Sequence, residues 1–207
     1  GNSNELQLFP HLVELGAKKN ISIQFNSFTE SASRDLRIYF VIDGKFEWTI
    51  QHQQYMLYPG DLALVLPGQV FGSEKGFLEI GSLCWIHIGT HPLPNGDISF
   101  GEWSGLSEAE RIAIGKILLM NNSPVLLKLG EAGRILNAIY HELCSHEIGY
   151  RTRVNHLIDE LFILITRQFT RQINPGRDFP KTFLNLEQAL RQNLSHQWTV
   201  EEMAALV

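Results

Sequence analysis

The chain has 207 residues, of which 44% are hydrophobic and 19% charged, a composition that supports a packed globular core and excludes extensive disorder. Its net charge of −5 argues against a surface that grips nucleic acid, because neutralising phosphates takes a cluster of Lys and Arg. No apolar run approaches the roughly 20 residues that a bilayer span needs, and the N-terminus lacks a signal-peptide pattern. We therefore expect a cytoplasmic protein without membrane contact.

A period-two pattern of apolar and polar residues runs from about 21 to 101 and predicts a β-rich region. The segment 36–42 is predicted to be a strand. Asp43-Gly44 follows it, a dipeptide typical of two-residue hairpin turns. A second strand is predicted over 45–51. One face of that strand would carry Phe46, Trp48 and Ile50.

Turns rich in glycine and proline divide the rest of this region. Pro59-Gly60-Asp61 predicts a tight turn, because Pro presets the first turn angle and Gly accepts a positive φ. A strand is predicted over 62–66, and 77–88 reads as one long alternating strand. Short, closely spaced strands joined by such turns indicate a sandwich or a barrel.

After Gly105 the apolar period changes to 3.6, which predicts helices. Ser107 is placed to cap a first helix that ends near Met120, with Glu110 at the capping-box position. An extended piece over 124–129 precedes a second helix over about 131–147. A third helix, over about 150–172, carries a broad apolar stripe. The residues of this stripe are Val154, Leu157, Ile158, Leu161, Leu164, Ile165 and Phe169.

The C-terminal segment predicts a linker and the beginning of a helix-turn-helix unit. Asn174-Pro175-Gly176 interrupts regular structure, and an amphipathic helix follows it. Thr199 is a good N-cap for a further helix, and Glu202, three residues later, completes a capping box. In helix-turn-helix motifs the helix after the turn enters the major groove. We therefore expect DNA binding only through a C-terminal domain that is missing from this chain.

The order of β-region, helices, linker and helix start resembles AraC-family transcriptional regulators over essentially the whole chain. The segments that match their cupin sensor are Tyr39 to Gly44, Tyr58-Pro59-Gly60-Asp61-Leu62 with Pro67-Gly68, and Trp85-Ile86-His87-Ile88. Residues 198–207 match the first motif helix of their DNA-binding domain. The resemblance implies an α+β fold: a cupin-like β-barrel (jelly roll) over 1–105, a helical dimerisation subdomain over 106–172, and a linker with a partial helix-turn-helix over 173–207.

The positions that match cupin metal ligands argue against a metal site. Metal-dependent cupins use histidines and a glutamate, but Arg37 stands where the resemblance places the glutamate, seven residues before Gly44. Phe71 stands about where the later histidine would be, and no histidine occurs from 21 to 51. A guanidinium cannot ligate a metal ion. We therefore expect no metal, no other cofactor and no enzymatic activity.

The predicted barrel offers a set of polar and aromatic side chains for a small ligand. Alternate residues of a strand share one face. The candidate ligand-binding residues on these faces are Arg37, Tyr39, Glu79, Trp85 and His87. Trp85 would stack on a sugar-like face, and Arg37 would bind hydroxyls or a carboxylate. In the alternative, Arg37 pairs with Glu79 or another carboxylate and the aromatic side chains fill the barrel.

The third helix predicts an interface between two copies of the chain. In AraC-type sensors the helices after the cupin form an antiparallel dimer interface, so the resemblance implies a homodimer. The residues predicted to form it are Leu157, Leu161, Leu164 and Ile165. The alternative is that the first two helices of the same chain cover this surface.

The sequence thus predicts the effector-binding and dimerisation part of an AraC-type DNA-binding regulator. Its partners would be a small-molecule effector, sugar-like or a carboxylate, and a second copy of itself. Two other functions stay open: a cupin-fold enzyme such as an isomerase or dioxygenase, and a pure dimerisation module with a filled barrel.

Overall fold

The structure is a computed structural model that describes residues 7–92, 98–121 and 123–173, together with Ala189, Leu190, His196, Trp198, Thr199, Glu202 and Met203. Its strands, numbered β1 to β11 in chain order, are Leu12–Asn20, Ser31–Ala32, Leu36–Gly44, Phe46–Ile50, Gln53–Leu57, Leu62–Val65, Val70–Gly72, Gly81–Ile88, His91–Pro92, Ile98–Ser99 and Val125–Leu126. Its helices, α1 to α3, are Glu108–Met120, Gly130–Ser145 and Tyr150–Ile173.

The long strands form two sheets that enclose a common core. One sheet has the order β1-β8-β3-β6-β11, the other has the order β2-β7-β4-β5, and β9 pairs separately with β10. All of these pairings are antiparallel. A jelly roll, the architecture of cupins, has this order, with strands 1, 8, 3 and 6 in one sheet and strands 2, 7, 4 and 5 in the other. The predicted α+β fold with a cupin-like barrel is confirmed.

Alternation along β3 sends its side chains into two different cores. Leu36, Ile38 and Phe40 belong to a large apolar cluster with residues of all three helices. Tyr39 and Val41, on the opposite face, belong to the cluster between the two sheets. The five-stranded sheet therefore has helices on one face and the barrel interior on the other, as period-two side chains require.

All three predicted helices are confirmed, with ends that differ by a few residues from the predicted ones. The capping box that begins α1 is also confirmed. The Ser107 hydroxyl accepts from the backbone N–H of Glu110 at 3.4 Å, and the Ser107 N–H donates to the Glu110 carboxylate at 2.8 Å. Two donors that would otherwise lack partners at the helix start are thereby satisfied.

The predicted turn at Pro59-Gly60-Asp61 is confirmed, with Gly60 at φ +91°. The Asp61 N–H donates to the Tyr58 carbonyl at 2.9 Å. The buried Asp61 carboxylate accepts the backbone N–H groups of Tyr58 at 2.9 Å and Lys128 at 3.0 Å. This side chain ties the turn before β6 to the segment that leads into α2.

The first strand differs from the sequence prediction. The strand region was expected to begin near 21, but β1 spans Leu12–Asn20, and 21–30 contains turns and bends with no strand. Among the described strands, β1 is an edge strand that pairs with β8 alone. Its outer side chains are solvated, so its sequence lacks the apolar density that marked β3 and β4.

Two further strand predictions are wrong. Asp43-Gly44 does not close a hairpin, because β3 pairs with β6 and β8 while β4 pairs with β5 and β7. Gly44, at φ +92°, instead passes the chain from one sheet to the other. The strand predicted over 77–88 begins only at Gly81. The Asn20 side-chain amide donates to the carbonyls of Leu78 and Glu79, which holds this segment outside the ladder.

The apolar stripe of α3 is covered mainly within the chain. Leu161 and Ile165, both predicted to form a dimer interface, are 0% exposed and lie in the cluster between the helices and the sheet. A side chain that its own chain buries completely cannot contact a partner, so these two assignments are wrong. Leu157 and Leu164 remain partly exposed. None of the described helices is long and apolar enough to cross a membrane.

The capping box near the C-terminus is confirmed. The Thr199 N–H donates to Glu202 Oε2 at 2.9 Å, and the Glu202 N–H donates to Thr199 Oγ1 at 3.2 Å. The linker predicted from 174 to 180 and most of the predicted partial helix-turn-helix lie outside the described residues.

Candidate functional site

The candidate site lies on the inner face of the five-stranded sheet, where β8 runs between β1 and β3. The strand register places Glu14 of β1 on one side of His87 and Arg37 of β3 on the other. The next row on this face consists of Gly16, Trp85 and Tyr39. Four of the five predicted ligand-binding residues, Arg37, Tyr39, Trp85 and His87, are therefore neighbours.

A chain of hydrogen bonds connects these side chains. Arg37 Nη1–H donates to the Tyr39 hydroxyl at 3.4 Å, and that hydroxyl lies 3.1 Å from His87 Nε2. His87 Nδ1 lies 3.2 Å from Glu14 Oε2, and Trp85 Nε1–H donates to Glu14 Oε1 at 2.9 Å. The network thus runs from a cation at Arg37 to an anion at Glu14.

The imidazole of His87 is held neutral. Burial, followed by the positive charge of Arg37, lowers the pKa of His87 from 6.5 to about 4, against the opposing effects of Glu14 and Asp35. A neutral imidazole has one donor and one acceptor. Because Nδ1 faces a carboxylate, Nδ1 carries the proton, and Nε2 accepts the hydroxyl proton of Tyr39. Burial also raises the pKa of Tyr39, so this phenol stays protonated.

Arg37 has hydrogen-bonding capacity that the described residues do not use. Its guanidinium packs over the ring of Phe71, 5.1 Å from the ring centroid, and its Nε is buried without a hydrogen-bond partner in the described chain. These two residues occupy the positions that resemble cupin metal-ligand positions, and a guanidinium on a phenyl ring cannot hold a cation. Within the described ranges, no three His, Cys, Asp or Glu side chains are grouped as ligands.

Aromatic side chains fill much of the barrel next to Tyr39. Its ring lies 5.0 Å from that of Trp48 and 5.8 Å from that of Phe71, and the Phe28 ring lies 4.8 Å from that of Trp48. Trp48 and Phe71 are almost fully buried. The Glu14 side chain, by contrast, is 52% exposed. The polar network therefore leads from the aromatic core to solvent at one rim of the barrel.

Glu79 does not join the other predicted site residues. It precedes β8, whose first residue Gly81 pairs with Gly44, seven positions along β3 from Arg37. At about 3.3 Å per residue, Glu79 and Arg37 belong to ends of the sheet more than 20 Å apart. Glu79 Oε1 instead accepts the backbone N–H of Glu47 at 3.3 Å, next to the start of β4. The alternative in which Arg37 pairs with Glu79 is therefore wrong.

Glu14 is the site residue that sequence reasoning missed. The signal was present but weak: from Val13 to Ala17 small and large apolar residues alternate with Glu14 and Gly16. That Glu14 lies beside His87, and Gly16 beside Trp85, follows from the register between β1 and β8. A single sequence does not contain this register.

A concavity lies away from these residues, between the β4–β5 hairpin, β6 and the end of α1. Its volume is about 100 Å³, and it is lined by Ile50, Gln51, Gln53, Tyr55, Leu64, Leu66, Gln69, Leu118, Asn121 and Pro124. Ligand pockets usually measure about 300–1,000 Å³. This cleft is small and its lining holds no charged side chain, so it is the weaker candidate.

No known family model matches the chain, and no curated protein matches it. Solved structures do show similarity at low sequence identity. The Clostridium difficile EutQ protein is 16% identical over 41% of this chain and 61% of that chain, with a TM-score of 0.31. A cupin protein from Bacteroides fragilis is 20% identical over 38% of this chain and 65% of that chain, with a TM-score of 0.26.

ToxT from Vibrio cholerae is similar over a longer stretch. It is 10% identical over 91% of this chain and 70% of that chain, with a TM-score of 0.38. A second ToxT structure contains a bound unsaturated fatty acid and has a TM-score of 0.32. This chain spans about three fifths of the length of the EutQ protein. At TM-scores below 0.5 these similarities identify neither a ligand nor an activity for this chain.

Proposed function

We propose that this chain is the effector-binding and dimerisation part of an AraC-type DNA-binding transcriptional regulator. The observation that carries the proposal is the Arg37 guanidinium, which lies over the Phe71 ring with a buried Nε that no group of the described residues accepts from. Buried polar groups nearly always have hydrogen-bond partners. A ligand oxygen is the partner that such a donor would take.

The proposed effector is a small polar molecule, either a carboxylate or a sugar-like compound. Arg37 would bind a carboxylate or hydroxyls through its remaining N–H groups, which form a planar fork suited to paired oxygens. Trp85, in the adjacent row of the same sheet face, would offer an apolar surface to the rest of the ligand. Tyr39 would hold the guanidinium in place by accepting from Arg37 Nη1, and the neutral His87 would orient the Tyr39 hydroxyl. The other N–H groups of Arg37 would then face the ligand.

The proposal assigns no catalysis to the chain. The only cysteine on the strand that carries Trp85 and His87 is Cys84, and burial raises the pKa of its thiol to about 11, so it is a poor nucleophile at neutral pH. DNA binding would require a further domain after the Thr199–Glu202 capping box, because the net charge of this chain is −5. The homodimer would use the exposed part of α3, which includes Leu157 and Leu164.

A thermal-shift screen against sugars, sugar acids and small carboxylic acids tests this proposal. A compound that binds only the native state raises the melting temperature with concentration. We expect Arg37→Ala and Trp85→Ala each to weaken binding of the compound found by about 1 to 3 kcal/mol, while the exposed substitution Glu131→Gln on α2 leaves it unchanged. Equal titration curves for wild type, Arg37→Ala and Trp85→Ala would place the effector elsewhere.

A second function, a pure dimerisation module with a filled barrel, is favoured by one specific observation. Phe28, Tyr39, Trp48 and Phe71 contact one another through the barrel interior. Under this alternative no compound in the screen shifts the melting temperature, yet the protein is a dimer.

A further inference from the structure

Glu14 and Arg37 carry opposite charges but are held apart on the same face of the sheet. Each pairs in register with His87, one from β1 and the other from β3. Neighbouring strands lie about 4.8 Å apart, so the Cα atoms of Glu14 and Arg37 stand roughly 10 Å apart. Long side chains could close such a gap, but here the protein places Tyr39 and His87 between the two charges.

The two bridging groups are neutral, so they cancel neither the negative charge of Glu14 nor the positive charge of Arg37. Tyr39 is a protonated phenol, and the imidazole of His87 is uncharged. Along the bridge Arg37 Nη1 reaches the Tyr39 hydroxyl at 3.4 Å, and Glu14 Oε2 meets His87 Nδ1 at 3.2 Å. The arrangement keeps the cation and the anion at a fixed separation.

Both charges can still bind a ligand. Each carboxylate oxygen of Glu14 accepts one N–H, from Trp85 or from His87, which leaves further lone pairs, and half of the side chain is exposed. Arg37 keeps N–H groups beyond the one that donates to Tyr39, and the residue is only partly buried. A charge held partly away from water is stabilised most by an opposite charge that also forms a hydrogen bond with it.

We propose that the effector is a zwitterion, an amino acid whose carboxylate binds Arg37 and whose ammonium group binds Glu14. This inference rests on the proposed effector site. The distance between Glu14 and Arg37 then selects the length of the ligand. Its two charged groups must be separated by several carbon atoms to reach both side chains. A carboxylate or an amine alone pairs with only one of the two charges.

Isothermal titration of the full chain at pH 7.5 with amino acids of increasing charge separation tests this inference. The probes are glycine, 4-aminobutyrate and 6-aminohexanoate, with butyrate, hexanoate and the corresponding alkylamines as singly charged controls. We expect one amino acid to bind on the order of tenfold or more tightly than both of its singly charged controls, since one charge-assisted hydrogen bond has that effect.

The variant Glu14→Gln separates the contribution of the ammonium group. We expect it to remove the advantage of the amino acid over its own carboxylate control, measured as the ratio of the two dissociation constants, whereas the control Glu131→Gln preserves that ratio. Circular dichroism of Glu14→Gln checks that the strand is intact. If butyrate or hexanoate binds as tightly as the amino acid of the same length, the inference of a zwitterionic effector is wrong, while the proposed effector site is retained. No binding by any of the three amino acids also overturns it, and the screen under Proposed function then decides separately whether the site binds another compound.

Discussion

The indole ring of Trp85 lies directly over Gly16, its register partner on β1. A β-carbon at Gly16 would stand 2.6 Å from Cζ2 and 2.8 Å from Cε2 of the indole, closer than such atoms approach in folded proteins. The absent side chain lets the ring lie flat on the strand, and its Nε1–H then reaches Glu14 at 2.9 Å.

The substitution Gly16→Ala should therefore displace Trp85 and break its hydrogen bond to Glu14. We expect a loss of about 1 to 3 kcal/mol in the free energy of unfolding, measured in urea, because overpacking forces side chains out of their preferred positions. The matched control is Gly130→Ala at the start of α2, where a β-carbon meets nothing within 4 Å. There we expect no loss or a small gain. Equal stability of both variants would show that Trp85 can move freely.

The Asp61 carboxylate supports a second prediction. It is 3% exposed and accepts two backbone N–H groups, from Tyr58 and Lys128. Asp61→Ala leaves both donors without a partner, and we expect a loss on the order of 2 to 4 kcal/mol in the free energy of unfolding. Asp61→Asn keeps one acceptor oxygen and should lose less. If urea titrations give the two variants the same midpoint, the two hydrogen bonds do not stabilise the turn.

The reliable predictions from sequence were those that depended on local patterns. Phe46, Trp48 and Ile50 are almost fully buried on one face of β4, as their alternation indicated. The capping boxes at Ser107 and Thr199 depend on residues only three positions apart, and both are present. A capping box forms from hydrogen bonds between residues three positions apart, so a short stretch of sequence is enough to predict it.

The predictions that failed depended on contacts between distant parts of the chain. Asp43-Gly44 belongs to the end of β3 and closes no hairpin, because packing across the barrel selects different partners for β3 and β4. The strand expected from 77 begins only at 81, because Asn20, some sixty positions away, binds the carbonyls of Leu78 and Glu79. The apolar stripe of α3 has the same sequence pattern whether a second copy or the same chain covers it. The sequence therefore could not show that Leu161 and Ile165 are buried within the chain.

The buried histidines lead to a prediction about pH. Burial lowers the pKa of both His11 and His87 to about 4, and Asn155 and Glu14 respectively act in the opposite direction. An unfolded histidine has a pKa near 6.5, so between 6.5 and 4 the unfolded chain binds more protons than the folded one. The resulting stability is fully present above 6.5 and is lost as the pH falls towards 4.

Each histidine should contribute roughly 3 kcal/mol over that interval, since one pKa unit corresponds to about 1.4 kcal/mol. Urea unfolding at pH 7.5, 6 and 5 measures the loss, and His11→Gln and His87→Gln should each reduce its slope. Proton titration of the imidazole resonances provides an independent check. A free energy of unfolding that stays constant from pH 7.5 to 5 would mean that these side chains are solvated in the folded protein.

The last prediction separates the covered face of α3 from its open face. Leu161 is 0% exposed, and Leu164, three positions later, is partly exposed. Leu161→Glu would bury an unpaired charge in the core, so we expect it to unfold the protein. Leu164→Glu should leave the chain folded by circular dichroism. If the open face of α3 forms the proposed homodimer, static light scattering should show a dimer for wild type and a monomer for Leu164→Glu. The control is Ile21→Glu, a change at a 76% exposed residue in the loop after β1, which should stay dimeric. A dimeric Leu164→Glu would place the interface elsewhere, and a monomeric wild type would remove the homodimer from the proposed function.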